Sequence, residues 1–74
     1  VPRTPGYALY EAGKALGYYE AGDEFLFEGH AAQVFRDPER HDWQHIAYCR
    51  VGEWDKIKWV TIDNGTHHIV RYRV

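Results

Sequence analysis

The sequence contains one cysteine, Cys49, no methionine and no long uninterrupted run of apolar residues. A single cysteine cannot close a disulfide within the chain, which excludes a disulfide-stapled secreted scaffold for the monomer. Cysteine usage therefore favours a cytoplasmic or virion location over secretion. No apolar run approaches the roughly 18 residues that a membrane-spanning helix needs, so we predict no membrane partner.

The chain also lacks a strong excess of charge of either sign. Nine Lys and Arg residues stand against eleven Asp and Glu residues, for a net charge of −2. A non-specific DNA-binding protein is usually basic, and this composition is not. Residues 37–74 carry six basic side chains, six acidic side chains and four histidines. This half therefore becomes cationic as the pH falls toward the histidine pKa of roughly 6.5.

The length of 74 residues leaves room for one domain only. A domain of this size buries roughly 60% of the surface of its unfolded chain, so most large apolar side chains are needed in the core. Three Trp, six Tyr and three Phe residues supply much of that volume. Large, stiff rings suit a thin β-sheet core, and we expect most of them to be buried.

Prolines and alternating apolar residues predict the organisation of the chain. Residues 1–6 are expected to form an extended arm, because prolines at positions 2 and 5 prevent regular pairing. Residues 7–74 then form the single domain. Alternation of apolar and polar residues predicts a strand at 24–28 and a weaker strand at 31–35.

The segment before the first of these strands is open to two interpretations. Short strands at 7–10 and 15–19, joined by a turn, are predicted. A helix over residues 8–19 is the alternative, because alanine and leucine favour it. Gly13 and Gly17 would each cost that helix about 1 kcal/mol, so the two strands are preferred.

The stretch from Trp43 to Val51 also fits two structures. Asp37 as a helix cap, Pro38 at the first helical position and Gly52 just beyond the end favour a helix at about 38–51, and with it an α+β fold. The β-branched and aromatic residues of the stretch favour a strand. We predict a strand preceded by a helical turn.

The C-terminal segment is predicted to be a β-hairpin. The Asn64-Gly65 dipeptide is typical of a two-residue type I′ turn between strands at 56–62 and 67–74. This turn sets a register in which apolar residues share one face, with Trp59 opposite Val70. On the other face the same register pairs basic residues, Lys58 with Arg71 and Lys56 with Arg73.

Five to seven short strands at close spacing predict an all-β fold, a small barrel or sandwich. The segment ALGYYEAGDEFLF at residues 15–27 resembles the early strands of bacterial SH3-like domains, and a later tryptophan, Trp43 or Trp54, is also familiar from that group. The resemblance implies a small SH3-like barrel that binds protein segments or cell-wall peptides, or that serves in assembly. The family's usual Asn-Val-Arg-Ser-Gly stretch is missing here, so the resemblance supplies no binding residues.

The first candidate site is the basic face of the predicted hairpin, formed by Lys56, Lys58, Arg71 and Arg73. Like charges opposite each other destabilise a sheet by roughly a few tenths of a kcal/mol. Their presence points to an anion, either nucleic-acid phosphate or an acidic partner. The alternative is that Glu24, Glu28 or Asp55 lies beside the patch and neutralises it.

The second candidate is a set of aromatic side chains able to stack on bases, sugars or prolines, namely Tyr18, Tyr19, Trp43 and Trp54. Trp54 follows a glycine in a short turn and is expected to be the most exposed. Packing in the core is the alternative for the whole set.

A third set, His41, His45 and Cys49, recurs every four residues and is the candidate for metal binding, to which His67 and His68 could add ligands. The spacing matches none of the usual zinc motifs. A lone cysteine in a strand is usually a small core residue, so we do not expect Cys49 to be a nucleophile.

No catalytic carboxylate pair or phosphate-binding glycine loop is visible, and we predict no enzyme and no cofactor. We expect a non-enzymatic binding or assembly module whose partner is another protein. The first alternative is a small nucleic-acid-binding protein that uses the basic hairpin face. The second is a virion or prophage structural component that assembles symmetrically as a homo-oligomer.

Overall fold

The computed structural model describes residues 5–73 of the chain. One helix precedes five strands, and a single 3₁₀ turn at Trp54–Lys56 separates the third strand from the fourth. The strands form one antiparallel sheet in which neighbours along the chain are neighbours in space. The elements are α1 (Pro5–Leu16), β1 (Glu24–Phe27), β2 (His30–Arg36), β3 (Trp43–Arg50), β4 (Lys58–Asp63) and β5 (His68–Arg73).

The helix α1 occupies most of the segment for which two short strands were predicted, and that prediction is wrong. Pro5 stands at the first helical position, where its missing N–H costs nothing. The helix ends at Gly17, which has a φ of 89°. The N–H of Tyr18 donates to the carbonyl of Gly13 at 2.7 Å, and that of Gly17 donates to Lys14 at 3.2 Å, which is a Schellman termination.

The two glycines inside α1 lie where the helix touches the sheet. A Cβ on Gly6 would lie 3.0 Å from atoms of both Tyr48 and Val60. A Cβ on Gly13 would lie 2.9 Å from the ring of Phe25. The glycines therefore allow a close approach that larger residues would prevent, and packing against the sheet outweighs their poor helix propensity. Pro5 and Gly6 belong to the helix, and the rest of the predicted arm lies outside the described residues.

The core lies between α1 and one face of the sheet. Leu9 and Tyr10 of the helix pack on buried residues from the first four strands: Phe25, Ala32, Val34, Ile46, Tyr48, Val60 and Ile62. At one end of this layer the Tyr10 hydroxyl donates to Asn64 Oδ1 at 2.7 Å, and Asn64 Nδ2 donates to Gln44 Oε1 at 2.9 Å. Buried Gln44 is thus satisfied by partners that also tie the helix to the β4–β5 loop.

The strand prediction for the middle of the chain is confirmed, because β3 covers Trp43–Arg50 and is the central strand of the sheet. The alternative helix over 38–51 is wrong. Residues 37–42 form a turn in which Asp37 Oδ1 accepts the backbone N–H groups of Glu39 and Arg40, each at 2.9 Å. Asp37 therefore makes the hydrogen bonds expected of a helix cap, but they stabilise a turn and no helix follows.

The C-terminal hairpin is present with a different register from the one predicted. Asp63 Oδ1 accepts the N–H groups of Gly65 and Thr66, and the positive φ falls on His67, so residues 64–67 form a four-residue loop. A bulge between Thr61 and Ile62 shifts the pairing further. The pairs are Trp59 with Arg73, Val60 with Tyr72, Thr61 with Arg71, Ile62 with Ile69, and Asp63 with His68.

The domain is mostly antiparallel sheet, as expected, but the sheet does not close into a barrel. Its order runs from β1 to β5 with those two strands at opposite edges. Because α1 covers one face, the sheet buries that face without closing on itself. The helix does not cover the opposite face, which we call the open face; at one end of it the segment around the 3₁₀ turn lies beside Cys49 of β3.

Candidate functional site: the open face of the sheet

The open face is built from the residues that alternate with the core positions along each strand. Its apolar members are Leu26, Ala31, Phe35, Ala47, Cys49 and Trp59. Small residues occupy its centre, and larger ones stand around them. An antiparallel sheet that meets water on one side usually turns polar residues outward, so this apolar content needs an explanation.

Two aromatic rings bridge the central strand. Phe35 on β2 and Trp59 on β4 have ring centroids 5.4 Å apart with a tilt of 44°. Ala47 lies between their strands and is only 3% exposed, whereas each ring is 37% exposed. The rings form a ridge across the middle of the open face, and one side of each faces solvent.

Opposite charges lie at the two edges of the open face. One row across the sheet runs Glu24, Gln33, Ala47, Trp59 and Arg73. Its ends are four strand spacings apart, roughly 19 Å, which is too far for an ion pair within one chain. Among residues 5–73, neither end of the row forms an ion pair.

A hydrogen-bonded chain of three side chains lies on the same face. His45 contacts Asp37 Oδ2 through Nε2 at 2.9 Å and Thr61 Oγ1 through Nδ1 at 2.8 Å. The hydrogen bond from His45, together with the N–H groups of Glu39 and Arg40, holds the pKa of Asp37 below its usual value. The Thr61 hydroxyl can act as donor or acceptor toward Nδ1, so both contacts of the ring are hydrogen bonds. This arrangement fastens the 37–42 turn to β4.

The predicted patch of four basic residues is divided between two faces. Arg71 and Arg73 line a shallow depression on the open face beside Trp59. Lys56 and Lys58 line a cavity at one end of the sheet instead. The predicted pairing of Lys58 with Arg71 is wrong, because the longer loop and the bulge move each strand relative to its partner.

The four predicted aromatic residues do not form one platform. Tyr18 stacks on Phe25 at 5.5 Å, and Trp43 lies under the Arg40 guanidinium at 4.7 Å. Trp54 begins the 3₁₀ turn and is 42% exposed, so it is exposed as expected but is not the most exposed of the four. Tyr19 is 44% exposed. No ring contact in the described part of the chain joins any two of the four.

The candidate metal ligands are not brought together. In a strand, four residues span roughly 13 Å, so His45 and Cys49 lie too far apart to share an ion. Both ring nitrogens of His45 are engaged, and His41 lies in the preceding turn. Within residues 5–73 no group of three potential ligands is close enough to hold a metal. Burial raises the pKa of the Cys49 thiol, which disfavours its reactive thiolate.

Sequence reasoning missed Glu24, Leu26 and Phe35 as members of an exposed face. The sequence does contain one indication of this face: Ala31 and Ala47 are small residues at outward positions of neighbouring strands. Small outward residues leave the surrounding large ones standing above the sheet. The chain of Asp37, His45 and Thr61 has no signal in the sequence, because its members come from three separate segments.

Comparison of the chain with protein-family models, with curated proteins and with solved structures finds no match. None of the helices that the structure describes is long and apolar enough to cross a membrane.

Proposed function

We propose that this protein is a non-enzymatic assembly module in which the open face packs against the open face of a second copy. The observation that carries this proposal is the uncovered apolar face. Leu26 is 68% exposed, and the Phe35 and Trp59 rings stand side by side in the middle of the sheet. Large apolar side chains exposed on an uncovered sheet face often mark interaction sites in small proteins.

The twist of the sheet allows the open faces of two copies to pack against each other. Strands in a sheet rotate by roughly 20–25° from one to the next, so the open face is saddle-shaped. Consider a second copy related to the first by a two-fold axis in the plane of the interface, along or across the central strand. The saddle of the second copy then runs parallel to the saddle of the first. Two copies can therefore pack in the way that the two sheets of a β-sandwich do, about 10 Å apart.

The charges select one of these two axes. A two-fold axis along β3 lays the β1 edge of one copy over the β5 edge of the other, so Glu24 meets Arg73 of its partner at both ends of the row. An axis across the strands would lay β1 over β1 and β5 over β5, with like charges facing. Complementary charges set the register of an interface, and here they favour the axis along β3.

The aromatic ridge fits the same arrangement. Ala47 lies on or near the axis, and its small side chain lets the two central strands approach. Each Trp59 then lies over the β2 strand of the other copy, close to that copy's Phe35. Four rings would share one cluster at the centre of the interface, where large aromatic residues contribute most to binding.

The size of the face sets the expected affinity. Five strands with about six residues each cover roughly 24 × 20 Å, so two faces in contact bury roughly 1,000 Å² in total. This area is near the lower limit for specific interfaces. We therefore expect a dissociation constant in the micromolar range or weaker, which a higher local concentration within a larger assembly would offset.

Analytical ultracentrifugation over about 1 µM to 1 mM tests the proposal. The mass should rise with concentration from 8.7 kDa toward twice that value. Glu24→Arg and Arg73→Glu should each weaken association roughly 2- to 30-fold, because each breaks two symmetry-related surface pairs. Combining them should restore it. Glu39→Arg makes the same charge change in the 37–42 turn and serves as the control.

Two results would contradict the proposal. The first is a monomer at 1 mM. The second is association that the two charge variants and Trp59→Asp leave unchanged. Binding of a single-stranded oligonucleotide to Phe35 and Trp59, with an affinity that falls steeply with salt, would favour the nucleic-acid alternative instead.

A further inference from the structure

A cavity of about 430 Å³ lies at one end of the sheet, and we call it the end cavity. It is found where β3 ends and β4 begins, beside the first residue of α1. Its walls include three basic side chains, those of Arg50, Lys56 and Lys58, together with those of His30, Tyr48 and Glu53. Its volume falls within the range of roughly 300–1,000 Å³ that small-molecule sites occupy.

The end cavity has an excess of positive charge. Arg50, Lys56 and Lys58 contribute three cations, and Glu53 is the only acidic residue among the described residues that line the cavity. Glu53 lies 3.7 Å from Lys56, and both side chains are largely exposed, so this ion pair is weak. In the part of the chain that the structure describes, Arg50 and Lys58 form no ion pair.

Strand pairing places two of these cations close together. Tyr48 pairs with Lys58, and Arg50 lies two residues further along β3, so Arg50 and Lys58 are diagonal neighbours roughly 7–8 Å apart. Like charges at this distance oppose folding unless an anion lies between them. Two cationic side chains with this separation can reach the same phosphate group from two sides.

The remaining walls are aromatic. The His30 and Tyr48 rings meet edge to face with centroids 6.5 Å apart. The Tyr48 hydroxyl donates to the Tyr72 hydroxyl at 2.6 Å, so it does not compete for a ligand. Burial and this hydrogen bond raise the pKa of Tyr48 above its ordinary value, which keeps the ring uncharged next to the cations.

We propose that the end cavity binds a phosphate-bearing ligand of about nucleotide size, with Arg50 and Lys58 on the phosphates and the His30 ring, which rests on buried Tyr48, against a flat ring. Phosphate chemistry suits the site because guanidinium and ammonium groups donate charge-assisted hydrogen bonds to its oxygens. The residues assigned to the ligand, His30, Arg50 and Lys58, do not belong to the open face, so this proposal stands independently of the self-association proposed above.

Titration of the full chain with three probes at low salt, followed by heteronuclear NMR, tests this assignment. ADP carries phosphates and a ring, inorganic pyrophosphate carries phosphates only, and adenosine carries a ring only. We expect saturable shifts at Arg50, Lys56 and Lys58 with ADP, weaker binding of pyrophosphate and none of adenosine. A 5′-phosphorylated oligonucleotide that binds more tightly than ADP would identify the phosphate as the end of a nucleic-acid chain.

The variants Arg50→Gln and Lys58→Gln should each weaken ADP binding about tenfold, the typical result of losing one charge-assisted contact. Arg73→Gln removes the same charge from the open face and should leave ADP binding unchanged. An absence of saturable shifts at 10 mM ADP would overturn the assignment. Equal losses in all three variants would also overturn it, because they would indicate general charge attraction.

Discussion

Replacement of Gly13 by alanine sets helix propensity directly against packing. At an ordinary helical position, alanine would stabilise α1 by about 1 kcal/mol relative to glycine. In this structure the new Cβ would lie 2.9 Å from Phe25 Cζ and 3.0 Å from the carbonyl oxygen of Tyr18. Neither neighbour is free to move. Phe25 is buried and stacked on Tyr18, and the Tyr18 backbone is held by its hydrogen bond to Gly13.

Overpacking of a core by one carbon typically costs about 1–3 kcal/mol. After the gain in propensity, we expect Gly13→Ala to lower the free energy of unfolding by about 1 kcal/mol, with a range of about 0–2. In a domain of this size, about 1 kcal/mol corresponds to a fall in Tm of roughly 4–8 °C. Urea and thermal denaturation followed by circular dichroism would measure both quantities.

Two further variants measure the effects of helix propensity and of overpacking separately. Ala15→Gly changes an exposed position of α1, so it calibrates propensity without a packing change. Phe25→Leu replaces the ring that meets the new Cβ by a shorter side chain, so Gly13→Ala should cost less in that background, while the contact with the Tyr18 carbonyl oxygen remains. The coupling energy between the two positions should therefore be about 0.5–3 kcal/mol. A simple rise in stability of about 1 kcal/mol for Gly13→Ala in the native background would refute the close contact between helix and sheet.

The other predictions concern hydrogen-bonded groups. The pKa of Asp37 is lowered in the folded state, so its stabilising effect is present above the ordinary carboxyl value of 3.8 and is lost as the pH falls through the lowered value. Asp37→Asn should therefore lower stability more at pH 7 than at pH 2, whereas Asp42→Asn, in the same turn, should change neither; an equal loss at both pH values would show that the charge plays no part. The pKa of Tyr48 is raised above 10, so its contribution is present below pH 10 and declines at higher pH. Tyr48→Phe should cost about 1 kcal/mol at pH 7 and flatten the alkaline decline, as seen in unfolding at pH 7 and pH 11. Tyr72→Phe keeps the buried Tyr48 hydroxyl but removes its partner, and a smaller loss than in Tyr48→Phe would contradict a hydrogen bond between the two hydroxyls.

Local patterns in the sequence were sufficient for several elements. The strand pattern at 24–28 matches β1, and the β-branched and aromatic residues of 43–51 match β3. The Asn64-Gly65 dipeptide correctly located the C-terminal loop. In each of these cases the preference of the residues within one segment agrees with the environment that the fold supplies, so no distant contact is needed to identify the element.

Other features depend on contacts between distant segments. The glycines at positions 6 and 13 argue against a helix in isolation, and they favour this helix only because Tyr48, Val60 and Phe25 lie directly beneath them. The hairpin register follows from two hydrogen bonds. The Asp63 side chain accepts the N–H of Gly65 in the loop, and the Tyr10 hydroxyl donates to the Asn64 side chain. Neither contact can be read from the preferences of the residues near the turn.

In the candidate sites, too, some features follow from local sequence and others from contacts between distant segments. Residue types alone suggested Arg71, Arg73, Lys56 and Lys58 as anion-binding groups, and the fold places two of them beside the open face and two at the end cavity. Which of them act together was decided by a bulge and a two-residue difference in loop length, because each single-residue shift in register moves a side chain to the opposite face. The sequence therefore determined the composition of a small aromatic β-domain. Tertiary packing, through the helix that covers one face, determined which surface of that domain remains open to a partner.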